Sequence, residues 1–143
     1  MKEEEITKFL KNVPIFKDLN TRQIKSLAKL AYQREYKAGD IIVSQGEGGI
    51  GLFVVVSGTA EAIHKQPDGE TTVVNTFGPT DFFGELALLD EGPRTASVIA
   101  KDAVMCVGIL RWDFLTMLKH DAEMAVTILL EVAHRFRQLL ASM

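Results

Sequence analysis

The chain is expected to adopt an α+β fold in which helices flank a small antiparallel β-barrel. Three observations predict it. Apolar residues recur at helical spacing at both ends of the chain. Between the ends, short apolar runs alternate with glycine-bearing turns at near-regular intervals, the pattern of an antiparallel sandwich or barrel. No repeat, low-complexity tract or linker divides the 143 residues, so one domain is expected: helical over 1–31, β-barrel over 32–110 and helical again over 111–143.

The first helix is placed by Ile6, Phe9 and Leu10 on one face, and Val13-Pro14-Ile15-Phe16 breaks it at the proline. Asn20-Thr21 caps a second short helix carrying Ile24, Leu27, Ala28 and Leu30-Ala31. From Tyr32 the period shortens. Turns are marked at Lys37-Ala38-Gly39-Asp40, Gln45-Gly46-Glu47-Gly48-Gly49, Ser57-Gly58, Pro67-Asp68-Gly69 and Phe77-Gly78-Pro79. They leave strands around 41–44, 51–56, 59–65 and 70–76, with two more at 95–101 and 103–110. Trp112, Leu115 and Leu118 indicate a short helix. After Asp121, apolar positions at 125, 128, 129, 132, 133, 136, 139 and 140 form the stripe of a longer one, with Thr127, Glu131, Arg135 and Gln138 on its polar side.

Composition narrows the function. At 47% apolar and 24% charged the chain has the makings of a core, and its net charge of -3 argues against general nucleic-acid binding. The single cysteine, Cys106, lies in the apolar run Val104-Met105-Cys106-Val107, where a buried strand residue is expected rather than a reactive thiol. No intrachain disulfide is possible. The start, Met-Lys-Glu-Glu-Glu, lacks a signal-peptide core, and no apolar run is long enough to span a membrane, so a cytoplasmic protein is expected.

One segment interrupts the strands. Between the strand ending near Phe77 and the one starting near Thr95 lie Asp81-Phe82-Phe83-Gly84-Glu85-Leu86-Ala87-Leu88-Leu89-Asp90-Glu91-Gly92-Pro93-Arg94, in which 85–89 have room for only a turn or two of helix. Gly84 before that turn permits close backbone approach, and the first amides of a helix suit a small anion such as phosphate. Pro93 stiffens the point where Arg94 emerges, and a guanidinium grips two phosphate oxygens in a planar fork. Glu85 has two readings. It can accept from a hydroxyl beside the phosphate, as a ribose 2′-OH would be, or it can be a carboxylate at a helix start paired with Arg94 across the loop.

The run Phe83-Gly84-Glu85-Leu86-Ala87-Leu88-Leu89 followed by Gly92-Pro93-Arg94-Thr95-Ala96-Ser97-Val98 resembles the phosphate-binding cassette of cyclic-nucleotide-binding domains, here residues 83–96. This is the domain of the catabolite activator protein, the regulatory subunit of protein kinase A and cyclic-nucleotide-gated channels. Val13-Pro14-Ile15-Phe16 with Leu19 resembles the family's N-terminal helical motif. Gly39-Asp40, Gly46-Glu47 and Ser57-Gly58 resemble its barrel turns, and Leu110-Arg111-Trp112-Asp113-Phe114 its barrel-to-helix junction. The resemblance implies a jelly-roll of about eight strands with a short cassette helix and two C-terminal helices. It implies that Arg94 binds the cyclic phosphate and Glu85 the ribose 2′-OH, that the amides of Gly84, Leu86 and Ala87 contact the sugar-phosphate, and that Thr95 and Ala96 lie beside them. Thr95 permits cGMP as well as cAMP. One departure is Gly48-Gly49-Ile50-Gly51-Leu52, where many relatives have an acidic residue followed by aromatic ones.

A sensor rather than an enzyme is therefore expected, with no catalytic residues, no metal and no cofactor beyond the nucleotide itself. A cupin-like metal oxygenase would need clustered histidine and carboxylate ligands, whereas His64, His120 and His134 are scattered over one strand and two helices. The last helix is the expected responder, with Phe136, Leu139 and Leu140, or Arg135 by stacking, as a lid over the base. The same stripe could instead pack on the barrel or on a second copy in a homodimer. No DNA-binding element follows before Ala141-Ser142-Met143, which leaves a stand-alone module or a piece of a larger cyclic-nucleotide-regulated protein. A scaffold that has lost its ligand is the remaining alternative, and intact Glu85 and Arg94 count against it.

Overall fold

The computed structural model describes residues 1–48, 50–90 and 92–143. Helix α1 (Glu3–Lys11), a 3-10 turn (Pro14–Phe16) and α2 (Thr21–Leu30) precede eight strands. These are β1 (Tyr32–Tyr36), β2 (Ile41–Val43), β3 (Gly51–Ser57), β4 (Ala60–Lys65), β5 (Thr71–Phe77), β6 (Phe82–Phe83), β7 (Ser97–Ala100) and β8 (Val104–Leu110). A second 3-10 turn (Glu85–Leu88) lies between β6 and β7, and α3 (Arg111–His120) and α4 (Ala122–Ala141) close the order. The Asn20 cap is a full capping box: its side chain accepts from the Gln23 amide while the Gln23 side chain accepts from the Asn20 amide, both at 2.9 Å.

The strands form two antiparallel four-stranded sheets, ordered β1-β8-β3-β6 and β2-β7-β4-β5, in the jelly-roll arrangement. Strands β3 and β8 read as nearly unbroken apolar runs because both their faces are covered. Leu52, Val54, Val107 and Ile109 face the helices, in one core with Leu10, Phe16, Leu27, Phe114 and Met124. Phe53, Val55, Val104 and Cys106 face the other sheet, in a second core with Phe77, Phe83 and Val98. Cys106 is fully buried there, and burial pushes its thiol up to about 12, so it is the inert strand residue expected.

Two expectations need correction, in the strands and in α4, while α3 forms as expected. Strand β7 begins at Ser97 rather than at 95, and the interruption contains a two-residue strand, β6, that pairs Phe82 and Phe83 with β3. In α3 the buried residue is Phe114, whereas Trp112 is exposed, because Phe114 reaches Phe16 in the helix-side core with ring centroids 5.9 Å apart. In α4 the buried residues are Met124, Ile128 and Glu131, while Leu129, Phe136, Leu139 and Leu140 point to solvent. The helix is rotated because Met124 and Ile128 insert beside Phe114, which carries Glu131 inward to meet Lys17 at 3.5 Å. Among the described residues no helix is long and apolar enough to cross a membrane.

Candidate functional site

The site is built from strand ends. Phe83 anchors the entry: it stacks on Phe53 at 5.2 Å and packs against Phe77 at 5.0 Å between the sheets. Gly84 then turns the chain with φ 79°, a conformation glycine adopts without strain. The Glu85–Leu88 turn follows, pinned by Leu88, which is fully buried in the helix-side core. It is a single 3-10 turn, within the turn or two of helix expected, and its four residues align too few peptide units for an appreciable helix dipole. The Ala87 amide also donates within the turn to the Gly84 carbonyl at 3.0 Å, so it is not an unshared donor.

Arg94 arrives from the other side. Its amide donates to the Glu47 carbonyl and its carbonyl accepts from the Gly46 amide, both at 2.8 Å, and an isolated antiparallel bridge joins Gly48 to Pro93. The backbone of the arginine is thereby clamped to the turn before β3. Its side chain lies inward, with Nη2 donating to the Gly51 carbonyl at 3.1 Å. Nε is buried without a partner among the described residues, and burial lowers the pKa of the guanidinium from its usual value. Gly84 leaves the seat for this group, because a Cβ there would stand 2.6 Å from Nη1.

Glu85 does not pair with Arg94. It forms a two-pronged ion pair with Arg135 of α4, Nη1 to Oε2 at 2.6 Å and Nη2 to Oε1 at 2.5 Å. Both side chains are largely covered, and the hydrogen bond to Glu85 first, with the Glu85 and Glu131 charges behind it, raises the pKa of Arg135. Arg135, offered by the sequence as one possible lid residue, ties the cassette to the final helix here.

Two cavities meet at Glu85 and Leu86. One of about 370 Å³ is lined by Gly84, Glu85, Leu86, Ala87, Arg94 and Thr95 among others; Ala96 lies outside it, against the inter-sheet core. The other, about 390 Å³ and mostly apolar, lies between Ile15, Leu86 and the α4 residues Val132, Phe136 and Leu139. Phe136 and Leu139 therefore border the back of the cassette, Leu140 lines neither cavity, and none of the three covers the first one. Gly49 and Glu91, which fall in the departing loop and in the cassette, lie outside the described residues. No group of histidine, cysteine and carboxylate side chains fit to hold a metal occurs among the described residues.

Sequence reasoning missed the carbonyls of Glu47 and Gly51 as partners of Arg94. The one available signal was the unusual glycine-rich stretch 48–51.

Comparisons with known proteins agree with the fold. The family model of the cyclic nucleotide-binding domain matches residues 33–121, more than half of the chain. The chain is 41% identical over 96 residues to a cAMP-dependent protein kinase regulatory subunit from Mycosarcoma maydis, covering 67% of this chain and 18% of that protein. It is 34% identical over 139 residues to a cGMP-dependent protein kinase from Drosophila melanogaster, covering 95% of this chain and 14% of that one. It thus spans less than a fifth of either relative's length. Among solved structures, the N-terminal domain of a transcriptional regulator from Streptomyces coelicolor superposes with a TM-score of 0.87 at 30% identity, covering 94% of this chain and 96% of that one. Fold, cassette and relatives converge: the chain belongs to the cyclic nucleotide-binding domain family.

Proposed function

We propose that the chain is a non-catalytic regulatory module that takes cAMP or cGMP in the cassette cavity. Arg94 meets the cyclic phosphate, Glu85 the ribose 2′-OH, and no cofactor is needed. The observation that carries this reading is the Glu85–Arg135 pair, which joins the expected ribose reader directly to the expected responder helix. A ligand that draws on the Glu85 carboxylate changes what holds α4, and a ligand acts only through such a difference between states. Calorimetric titration of nucleotide-free protein with cAMP and cGMP tests it, with AMP and GMP as controls. Saturable binding of at least one cyclic nucleotide, tighter than its linear counterpart, is expected; no heat from either cyclic nucleotide overturns the reading.

The outer face of α4 supports a homodimer as well. Val126, Leu129, Ala133, Phe136 and Leu140 follow one another at alternating spacings of three and four and all are exposed, Leu129 by 64% and Phe136 by 60%. That spacing is the seam of a two-stranded coiled coil, and an isologous pairing would cover it. Sedimentation should give a dimer for the native chain and a monomer for Leu129→Glu. A native monomer at all concentrations removes this reading.

A further inference from the structure

Arg94 is held in an unusual way for a half-buried cation. Among the described residues no carboxylate lies within 4.0 Å of its guanidinium, and its only side-chain hydrogen bond is the one from Nη2 to the Gly51 carbonyl. Its Nε, buried, has no hydrogen-bond partner among the described residues. Buried polar atoms are almost always satisfied, so an orphan on this side chain, beside an open cavity, marks a partner still to come.

The carbonyl that holds it has little freedom. Gly51 opens β3 opposite Leu110 of β8, and it sits so close to that strand that a Cβ would stand 2.0 Å from the Ile109 carbonyl oxygen. On its other side the same residue's carbonyl reaches the cassette, only 2.6 Å from where a Cβ on Gly84 would be. Strand β3 therefore presses flush against β8 and projects one carbonyl into the seat that Gly84 leaves empty. The guanidinium lies over the bare Cα of Gly84 and is caught at one corner.

We propose that Gly51 is a positioning residue for Arg94: its carbonyl, aimed by the close β3–β8 contact, orients the guanidinium while leaving its charge unneutralised for the anion. A carboxylate in that place would hold the arginine more firmly, but it would also cancel the charge and repel the phosphate. A neutral carbonyl orients without competing. The proposal rests on the reading of the cassette as a cyclic-nucleotide site.

The test is a double-mutant cycle in nucleotide affinity, using cAMP and cGMP with Gly51→Ala, Arg94→Ala and the double variant, each checked for folding by circular dichroism. Gly51→Ala is expected to weaken binding about tenfold in the native background, as the arginine loses its aim, and to cost nothing further once Arg94 is alanine. Equal losses in both backgrounds would mean that Gly51 merely shapes the strand, and no loss in folded Gly51→Ala would mean that it does not act on Arg94 at all; either overturns the proposal. If Gly51→Ala fails to fold, arginine-selective NMR of the nucleotide-free native protein decides. The Nε–H signal that vanishes in Arg94→Ala should exchange slowly with water, and exchange as fast as that of a free arginine overturns the placement. Should neither cyclic nucleotide bind the native protein, the functional reading falls by itself, while the NMR result still judges where Arg94 sits.

Discussion

Replacing Arg94 by alanine is expected to lower cyclic-nucleotide affinity by about ten- to a hundredfold, with the fold retained. A charged hydrogen bond is worth roughly 1.5–3 kcal/mol, and a half-dehydrated phosphate has few other counter-charges here. The remaining cassette offers backbone amides, one of which, from Ala87, is already engaged. The fold should survive because the side chain contributes one hydrogen bond, to Gly51, and no ion pair among the described residues. The clamp at Gly46 and Glu47 uses only backbone atoms and persists in the variant. Calorimetry with cAMP and cGMP measures the change, and unchanged affinity for both would show that the phosphate lies elsewhere.

Glu85→Ala should act on both the ligand and α4. If Glu85 reads the ribose, the variant loses about tenfold in affinity for the parent nucleotide, and the preference for it over its 2′-deoxy analogue collapses to near unity. On the protein side Arg135 loses both of its carboxylate contacts with the cassette, and Glu131, one turn back on the same helix, is the nearest replacement. The last turns of α4 then lose their tie, and their amides should exchange faster with solvent while those around Met124 and Ile128 stay protected. Hydrogen exchange resolved along the helix reads this directly. Native 2′-OH discrimination in the variant would remove Glu85 as the ribose reader.

The extent to which the sequence announced these features follows the range of the interactions behind them. The capping box at Asn20, the break at Pro14, the turns and the position of the cassette depend on neighbours a few residues apart, and all are visible in the string. The two-residue β6 is too short to show a period and exists only because β3 lies beside it. The rotation of α4 was hidden for a different reason: an apolar stripe says that a face wants covering, not what covers it. Here Met124 and Ile128 secure the helix, the charged pair Lys17–Glu131 lies on the inner side, and most of the stripe faces out. Glu85 and Arg135 are 50 positions apart and belong to unrelated local motifs, so only the folded chain joins them. The two readings of Glu85, ribose acceptor or arginine partner, were both sound physics. In the structure it is an arginine partner, of Arg135 rather than of Arg94.

The backbone clamp on Arg94 also bears on kinetics. An arginine side chain has about 2 kcal/mol of rotamer freedom to lose on being fixed, and here part of that loss is met on folding, through burial and the hydrogen bond to Gly51. If Arg94 meets the cyclic phosphate as proposed, an arriving anion finds the cation already in place. Little reorganisation of the cassette then separates encounter from capture, and entry rates for related nucleotides should lie close together. Differences among them would be written in how long each one stays.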